Sequence, residues 1–155
     1  MSGNVLGFTG TRKGLKCAQA VSLDKLLCKL YFDDVHHGGC LGGDLDFHNI
    51  VLRNERARLR SRIYIHPAIG FAKQRQLFAC DSPYWGKNIV VYPEMEPLTR
   101  NRAVVNEIDT LIACPDSKEE RVHSETWYTV RRAREYKLMI FIVYPDGSIK
   151  CERSI

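Results

Sequence analysis

At 155 residues, 45% of them hydrophobic, the chain has room for one domain with a proper core and none for a second full domain. Its 23 basic and 18 acidic residues leave a formal charge of +5, a modest excess that suits small anionic ligands and makes nucleic acid an unlikely partner. No apolar run approaches the roughly 18 residues of a membrane span, and the N-terminus lacks the layout of a signal peptide, so a cytoplasmic location without a membrane partner is expected.

The first predicted element is a buried strand over Asn4 to Thr9, stopped by Gly10 and followed by Thr11-Arg12. From about Lys16 to Tyr31, Leu23, Leu26, Leu27 and Leu30 fall at i, i+3, i+4 and i+7, one buried face of a helix. Val35 to Gly39 reads as a second strand. It runs into a loop carrying Gly38, Gly39, Gly42 and Gly43, after which Asp44 is the expected N-cap of a helix from Leu45 that runs out in Arg53-Asn54-Glu55-Arg56. Arg62 to His66 alternates before Pro67 as a third strand would, which makes a βαβαβ unit.

Ala68 to Gly86 has no sustained period and is read as an irregular excursion, with an aromatic pair at Tyr84-Trp85. A short strand is predicted over Asn88 to Tyr92, a helix over Leu98 to Asn106 and a buried strand over Thr110 to Cys114, ended by Pro115. Asp116 to Val122 is a charged loop. Ser124 can cap a helix through Tyr136, with Trp127, Val130 and Ala133 along its core side. Met139 to Tyr144, the most continuous apolar run, is expected to be a central strand. Pro145-Asp146-Gly147 then turns the chain into an edge strand over Ile149 to Arg153.

The six cysteines are widely and irregularly spaced and are read as reduced thiols. None of their spacings is that of a zinc site, and the five histidines include no His-x-x-x-His, so neither metal nor cofactor is expected.

In an open parallel sheet, ligands bind outside the carboxyl ends of the strands, where crossovers part. The chain concentrates its informative residues there. Gly10, Thr11 and Arg12 follow the first strand, His37 to Asp44 the second, His66 the third, and Pro115 to Thr126 the strand before the last long helix. Glycine amides, the hydroxyls of Thr11, Ser124 and Thr126 and the Arg12 guanidinium are donors for phosphate oxygens. His36 and His37, adjacent in a strand, face opposite sides, so at most one reaches this rim. For His37 and His66, ligand contact and a purely structural role fit the sequence equally.

The segments Gly7-Phe8-Thr9-Gly10-Thr11-Arg12, His36-His37-Gly38-Gly39-Cys40-Leu41-Gly42-Gly43-Asp44, Ile65-His66-Pro67, Arg100-Asn101-Arg102 and Thr126-Trp127-Tyr128-Thr129-Val130-Arg131 resemble, in order and spacing, the SLOG superfamily. These are the Rossmann-like nucleotide-binding proteins related to Smf/DprA and LOG (Lonely Guy). The resemblance covers nearly the whole chain. It implies a doubly wound, mostly parallel α/β sheet with helices on both faces, a nucleotide or nucleotide-derived ligand, and a homodimer. It departs from the LOG pattern Pro-Gly-Gly-x-Gly-Thr-x-x-Glu, because Asp116-Ser117-Lys118 follow Pro115, Glu125 precedes Thr126, and Thr129 stands at the glutamate position.

The expected function is therefore binding of a nucleotide or nucleotide-derived molecule, such as an ADP-ribose derivative used in signalling, at the carboxyl edge of the sheet. The expected ligand contacts are Gly10, Thr11, Arg12, His37, Gly38, Gly39, Gly42, Gly43, Asp44, His66, Asn101, Arg102, Pro115, Ser124 and Thr126. The alternative is a nucleoside 5′-monophosphate N-ribohydrolase in which Glu125 or Asp44 handles the glycosidic bond. For Glu125 the favoured reading is structural, as a first-turn partner of the helix dipole. A single-stranded DNA module is disfavoured by the absence of a basic stripe interleaved with aromatics.

Overall fold

The computed structural model describes residues 4–54, 62–69 and 89–153. Strand β1 (Val5–Gly10) opens the chain, followed by α1 (Cys17–Lys29), β2 (Asp34–His37), α2 (Gly43–Arg53) and β3 (Arg62–Ile65). Then come β4 (Ile89–Val91), α3 (Pro97–Asn106), β5 (Thr110–Cys114), α4 (Glu125–Glu135), β6 (Met139–Val143) and β7 (Ile149–Arg153). Most of the expected excursion, with Tyr84-Trp85, lies outside the described residues, as do Asn88 and the end of the run after Asn54. Of the excursion's start, Ala68 forms a parallel bridge to Met95.

The seven strands form one sheet in the order β4-β3-β2-β1-β5-β6-β7, parallel except for β7, which runs antiparallel to β6. The chain moves outward on one side from β1 to β4, then returns through α3 to place β5 on the other side of β1. The architecture is thus the expected doubly wound α/β sheet. The central strand, however, is β1 and not β6, which sits between β5 and the edge strand β7. A long apolar run marks burial on both faces and says nothing about rank in the sheet.

Period-two alternation divides the core. Leu6, Phe8, Ile112, Cys114 and Val143 point to the face covered by α1 and α2, with Leu23, Leu26, Leu27, Phe47, Ile50 and Val51 packed against them. Leu111, Ala113, Ile140 and Ile142 point to the other face and meet Val104, Trp127, Val130 and Ala133 of α3 and α4. Phe8 stacks on Phe47 with centroids 4.3 Å apart, which fixes α2 over β1. Trp127 is 2% exposed, the core role that its helical spacing suggests. Burial of each large side chain of this kind contributes about 1.5–3 kcal/mol.

One polar side chain ties layers together and another caps a helix. Gln19 of α1 is fully buried, and its Nε2 donates to the carbonyls of Pro115 and Val143 at 2.9 and 2.8 Å. Ser124 is the expected cap of α4, its Oγ accepting from Trp127 N–H at 3.2 Å.

Candidate functional site

Between β1 and β5 the crossovers part, one to α1 and α2 and the other to α4. The crevice above those strand ends is an open cleft of about 710 Å³. Its floor is Phe8 to Arg12, one wall is Gly38, Cys40 and Asp44, another is Arg100, Asn101 and Val104, and the last runs from Asp116 to Thr129. That volume is within the range of small-molecule and cofactor sites.

The floor is built around Thr11. Its N–H donates to the Cys114 carbonyl at 3.0 Å, its carbonyl accepts from Gly43 N–H at 2.7 Å, and its Oγ1 accepts from Lys13 N–H at 3.2 Å. One residue thus ties the loop after β1 to the end of β5 and to the start of α2. This close approach explains two glycines. Gly42 has φ +91°, and a Cβ there would run into the Arg12 carbonyl; a Cβ at Gly43 would lie 2.9 Å from the Thr11 oxygen.

The glycine loop therefore works differently from the sequence expectation. Helix α2 starts at Gly43 with Gly42 as N-cap, so Asp44 lies inside the first turn and is not the cap. Gly39 N–H donates to His37 Nδ1 at 2.9 Å, Cys40 N–H to Asp44 Oδ2 at 3.3 Å, and Gly43 N–H to Thr11. These amides are occupied by the protein itself. Of the four loop glycines only Gly38 lines the cleft. A Cβ at Gly38 would sit 2.5 Å from Arg100 Nη1 and 2.8 Å from Asp44 Oδ2, so the missing side chain lets a buried cation and a buried carboxyl flank one backbone.

Arg100 is 4% exposed, and its Nη1 donates to the carbonyls of Gly38 and His66, both at 3.1 Å, while Nε donates to Asn101 Oδ1 at 2.7 Å. It clamps the ends of β2 and β3 from α3. Asp44 is 8% exposed, and burial raises its pKa to about 6. The fields of Arg100 and Arg12 and the Cys40 amide oppose that rise, and Glu125 adds to it. A carboxyl of this kind exchanges its proton near neutral pH.

On the opposite wall, the N–H groups of Glu125 and Thr126 are the first two of α4 and have no acceptor within the helix. Arg12 Nη2 donates to Glu125 Oε2 at 2.7 Å, Lys13 Nζ meets Asp116 Oδ2 at 3.2 Å, and Arg121 Nη1 lies 3.4 Å from the same carboxylate. Thr129 Oγ1 donates to the Glu125 carbonyl at 3.0 Å.

Of the expected site residues, Gly10, Thr11, Arg12, Gly38, Asp44, Asn101, Ser124, Glu125 and Thr126 come together around this cleft. Gly39, Gly42, Gly43 and Pro115 lie outside its lining and shape it from behind. His37, His66 and Arg102 are corrected. Gly39 N–H fixes His37 as the Nε2–H tautomer, which donates to His48 Nδ1 at 3.0 Å and turns the ring away from the rim. His48 Nε2 is then a buried donor without an acceptor among the described residues. His66 pairs with His36 at 2.8 Å and packs on Tyr92 at 4.4 Å, so only its carbonyl turns toward the site, to Arg100. Arg102 is exposed and donates to the Tyr128 hydroxyl at 2.9 Å.

Arg100 and Thr129 are lining residues that were not among the expected contacts. The signal for Arg100 was present: it stands four residues before Val104, on the same helix face as that buried residue. Lys13, Asp116 and Arg121 gave no such signal, since loop charges are ordinary solvated residues until a fold brings them together.

No family model and no curated protein matches the sequence. Among solved structures the chain is similar to TM1055, the X-ray structure of a structural genomics consortium target. The TM-score is 0.57 at 13% identity, over 88% of this chain and 72% of that one. At this identity the likeness shows the α/β, Rossmann-like fold alone.

Proposed function

We propose that the cleft between β1 and β5 binds a nucleotide or nucleotide-derived small molecule, such as an ADP-ribose derivative. The observation that carries this reading is the convergence, at the point where the strand order reverses, of Thr11, Arg12 and the free helix start at Glu125 and Thr126 around about 710 Å³. Guanidinium, hydroxyl and amide donors recognise phosphate, and a cleft of this volume has room for the rest of a nucleotide. The motif order resembling SLOG proteins supports the same ligand class and, with it, a homodimer, which sedimentation would test. Native mass spectrometry of protein purified without added ligand tests the main reading. A retained mass of a nucleotide, or titration heat with nucleoside monophosphates or ADP-ribose, supports it; silence in both experiments overturns it.

A second reading, N-ribohydrolysis of a nucleoside 5′-monophosphate, is favoured by one observation: Asp44, buried with its pKa raised to about 6, faces the same cleft. Glu125 is less suited to acid–base work because Arg12 holds it as an ion pair. Free base released by the wild-type protein and abolished by Asp44→Asn would establish hydrolysis. No release over hours would leave a binding protein.

A further inference from the structure

Among the described residues, every cation that lines the cleft already has an acceptor from the protein. Arg12 donates to Glu125 at 2.7 Å, Lys13 and Arg121 share Asp116 at 3.2 and 3.4 Å, and Arg100 is held by the Gly38 and His66 carbonyls and Asn101. A bare phosphate entering at Arg12 displaces Glu125 and leaves that carboxylate beside a dianion, at the very helix end the two would share. The loss is offset by a ligand that returns hydrogen-bond donors to the displaced carboxylate, and on a nucleotide the hydroxyls nearest the phosphate are those of the ribose. Arg12 and Glu125 are each about one third exposed, 35% and 36%, so a ligand can reach both partners.

We infer that the Arg12–Glu125 ion pair is a specificity device, exchanged on binding for a ligand that presents phosphate to Arg12 and an unblocked ribose diol to Glu125. The inference rests on the nucleotide reading of the cleft and narrows it. The class selected is a ribose phosphoester with vicinal hydroxyls. Inorganic phosphate and nucleotides lacking the diol are rejected, because each leaves a carboxylate oxygen without the donor that replaced Arg12.

The test is calorimetric titration of wild-type protein and Glu125→Gln with three probes: the four ribonucleoside 5′-monophosphates, their 2′,3′-dideoxy counterparts and inorganic phosphate. In the wild type, the ribonucleotide that binds should do so about tenfold more tightly than its dideoxy counterpart, the factor expected for a charge-assisted hydrogen bond at a part-exposed site. In Glu125→Gln that ratio should fall to about threefold or less, and inorganic phosphate should bind about tenfold more tightly than to wild type because the competing charge is gone. Equal wild-type affinity for ribo and dideoxy forms overturns the inference while leaving the nucleotide reading intact. If no nucleotide binds either protein, the nucleotide reading falls. The phosphate titration then still judges the ion pair, and an affinity unchanged by Glu125→Gln overturns the exchange on its own.

Discussion

Four histidines behind the cleft should make this fold acid-labile well above the pH at which carboxylates titrate. His36, His37, His48 and His66 are 0–4% exposed and form two hydrogen-bonded pairs, one on each face of β2. Burial lowers His36 and His48 to about 4 and His66 to about 3 from an ordinary value of 6.5, and holds His37 well below that value. The nearby Arg100 cation adds to the shift at His37 and His66, whereas Asp34 partly opposes it at His36. Because these pKa values are depressed in the folded state, the unfolded chain takes up protons first. Stability is therefore intact above about pH 6.5 and is lost as the pH falls toward 4. A histidine shifted from 6.5 to about 4 costs about 2 kcal/mol by pH 5. Asp44 works in the opposite direction, since its raised pKa makes acidification favourable there, and it returns about 1 kcal/mol over the same range. Counting only His36, His48 and His66, whose shifts have values, and the opposing Asp44, the net loss between pH 7 and pH 5 is about 5 kcal/mol, comparable to the whole stability of a marginal domain. Urea unfolding at the two pH values measures it, and histidine ring resonances followed by NMR should show these four imidazoles untitrated down to about pH 5. A stability that changes by less than about 1 kcal/mol, or any of these rings titrating near 6.5, would refute the reasoning.

Arg12→Ala should weaken nucleotide binding by about 1.5–3 kcal/mol without unfolding the protein, because it removes the phosphate contact and leaves Glu125 uncompensated in the cleft; calorimetry reads the change. Gly43→Val places branched carbons against the Thr11 carbonyl and Gly10 and should cost about 2–4 kcal/mol in urea unfolding, with ligand binding lost as the two loops separate. Its effect comes from this close approach, since Gly42, and not Gly43, has the positive φ. Arg100→Met strips the donor from the Gly38 and His66 carbonyls and should cost about 3 kcal/mol, measured in the same way.

The fold was legible because apolar periodicity survives in a single sequence. Leu23, Leu26 and Leu27, then Trp127, Val130 and Ala133, marked the core faces of α1 and α4, and Ser124 marked the start of α4 correctly. The site was legible as a region, because strand ends can be located and a doubly wound sheet brings certain ends together. It was not legible atom by atom. Whether a glycine amide faces a ligand or a neighbouring loop depends on a contact such as Gly43 to Thr11, between residues far apart in the chain. The direction of His37 likewise depends on His48, eleven residues on, which accepts its hydrogen bond.

The same dependence on tertiary contact divides the chemistry of two of the cleft carboxyl groups, Asp44 and Glu125. Thr129, at the position where the LOG pattern has glutamate, is 2% exposed and spends its hydroxyl on the Glu125 carbonyl, one helical turn back. Glu125 spends its carboxylate on Arg12 at the mouth of the cleft. Neither residue presents an unpaired, desolvated carboxyl to the cleft. Asp44 does, because it approaches from the opposite side of the switch point, in a desolvated position beside Gly38. Two carboxyl groups in environments this different take different tasks: one sets charge at the entrance, and the other has a proton to give or take near neutral pH. Any bond cleavage in this cleft should therefore fail in Asp44→Asn, whereas Glu125→Gln should change which ligands enter.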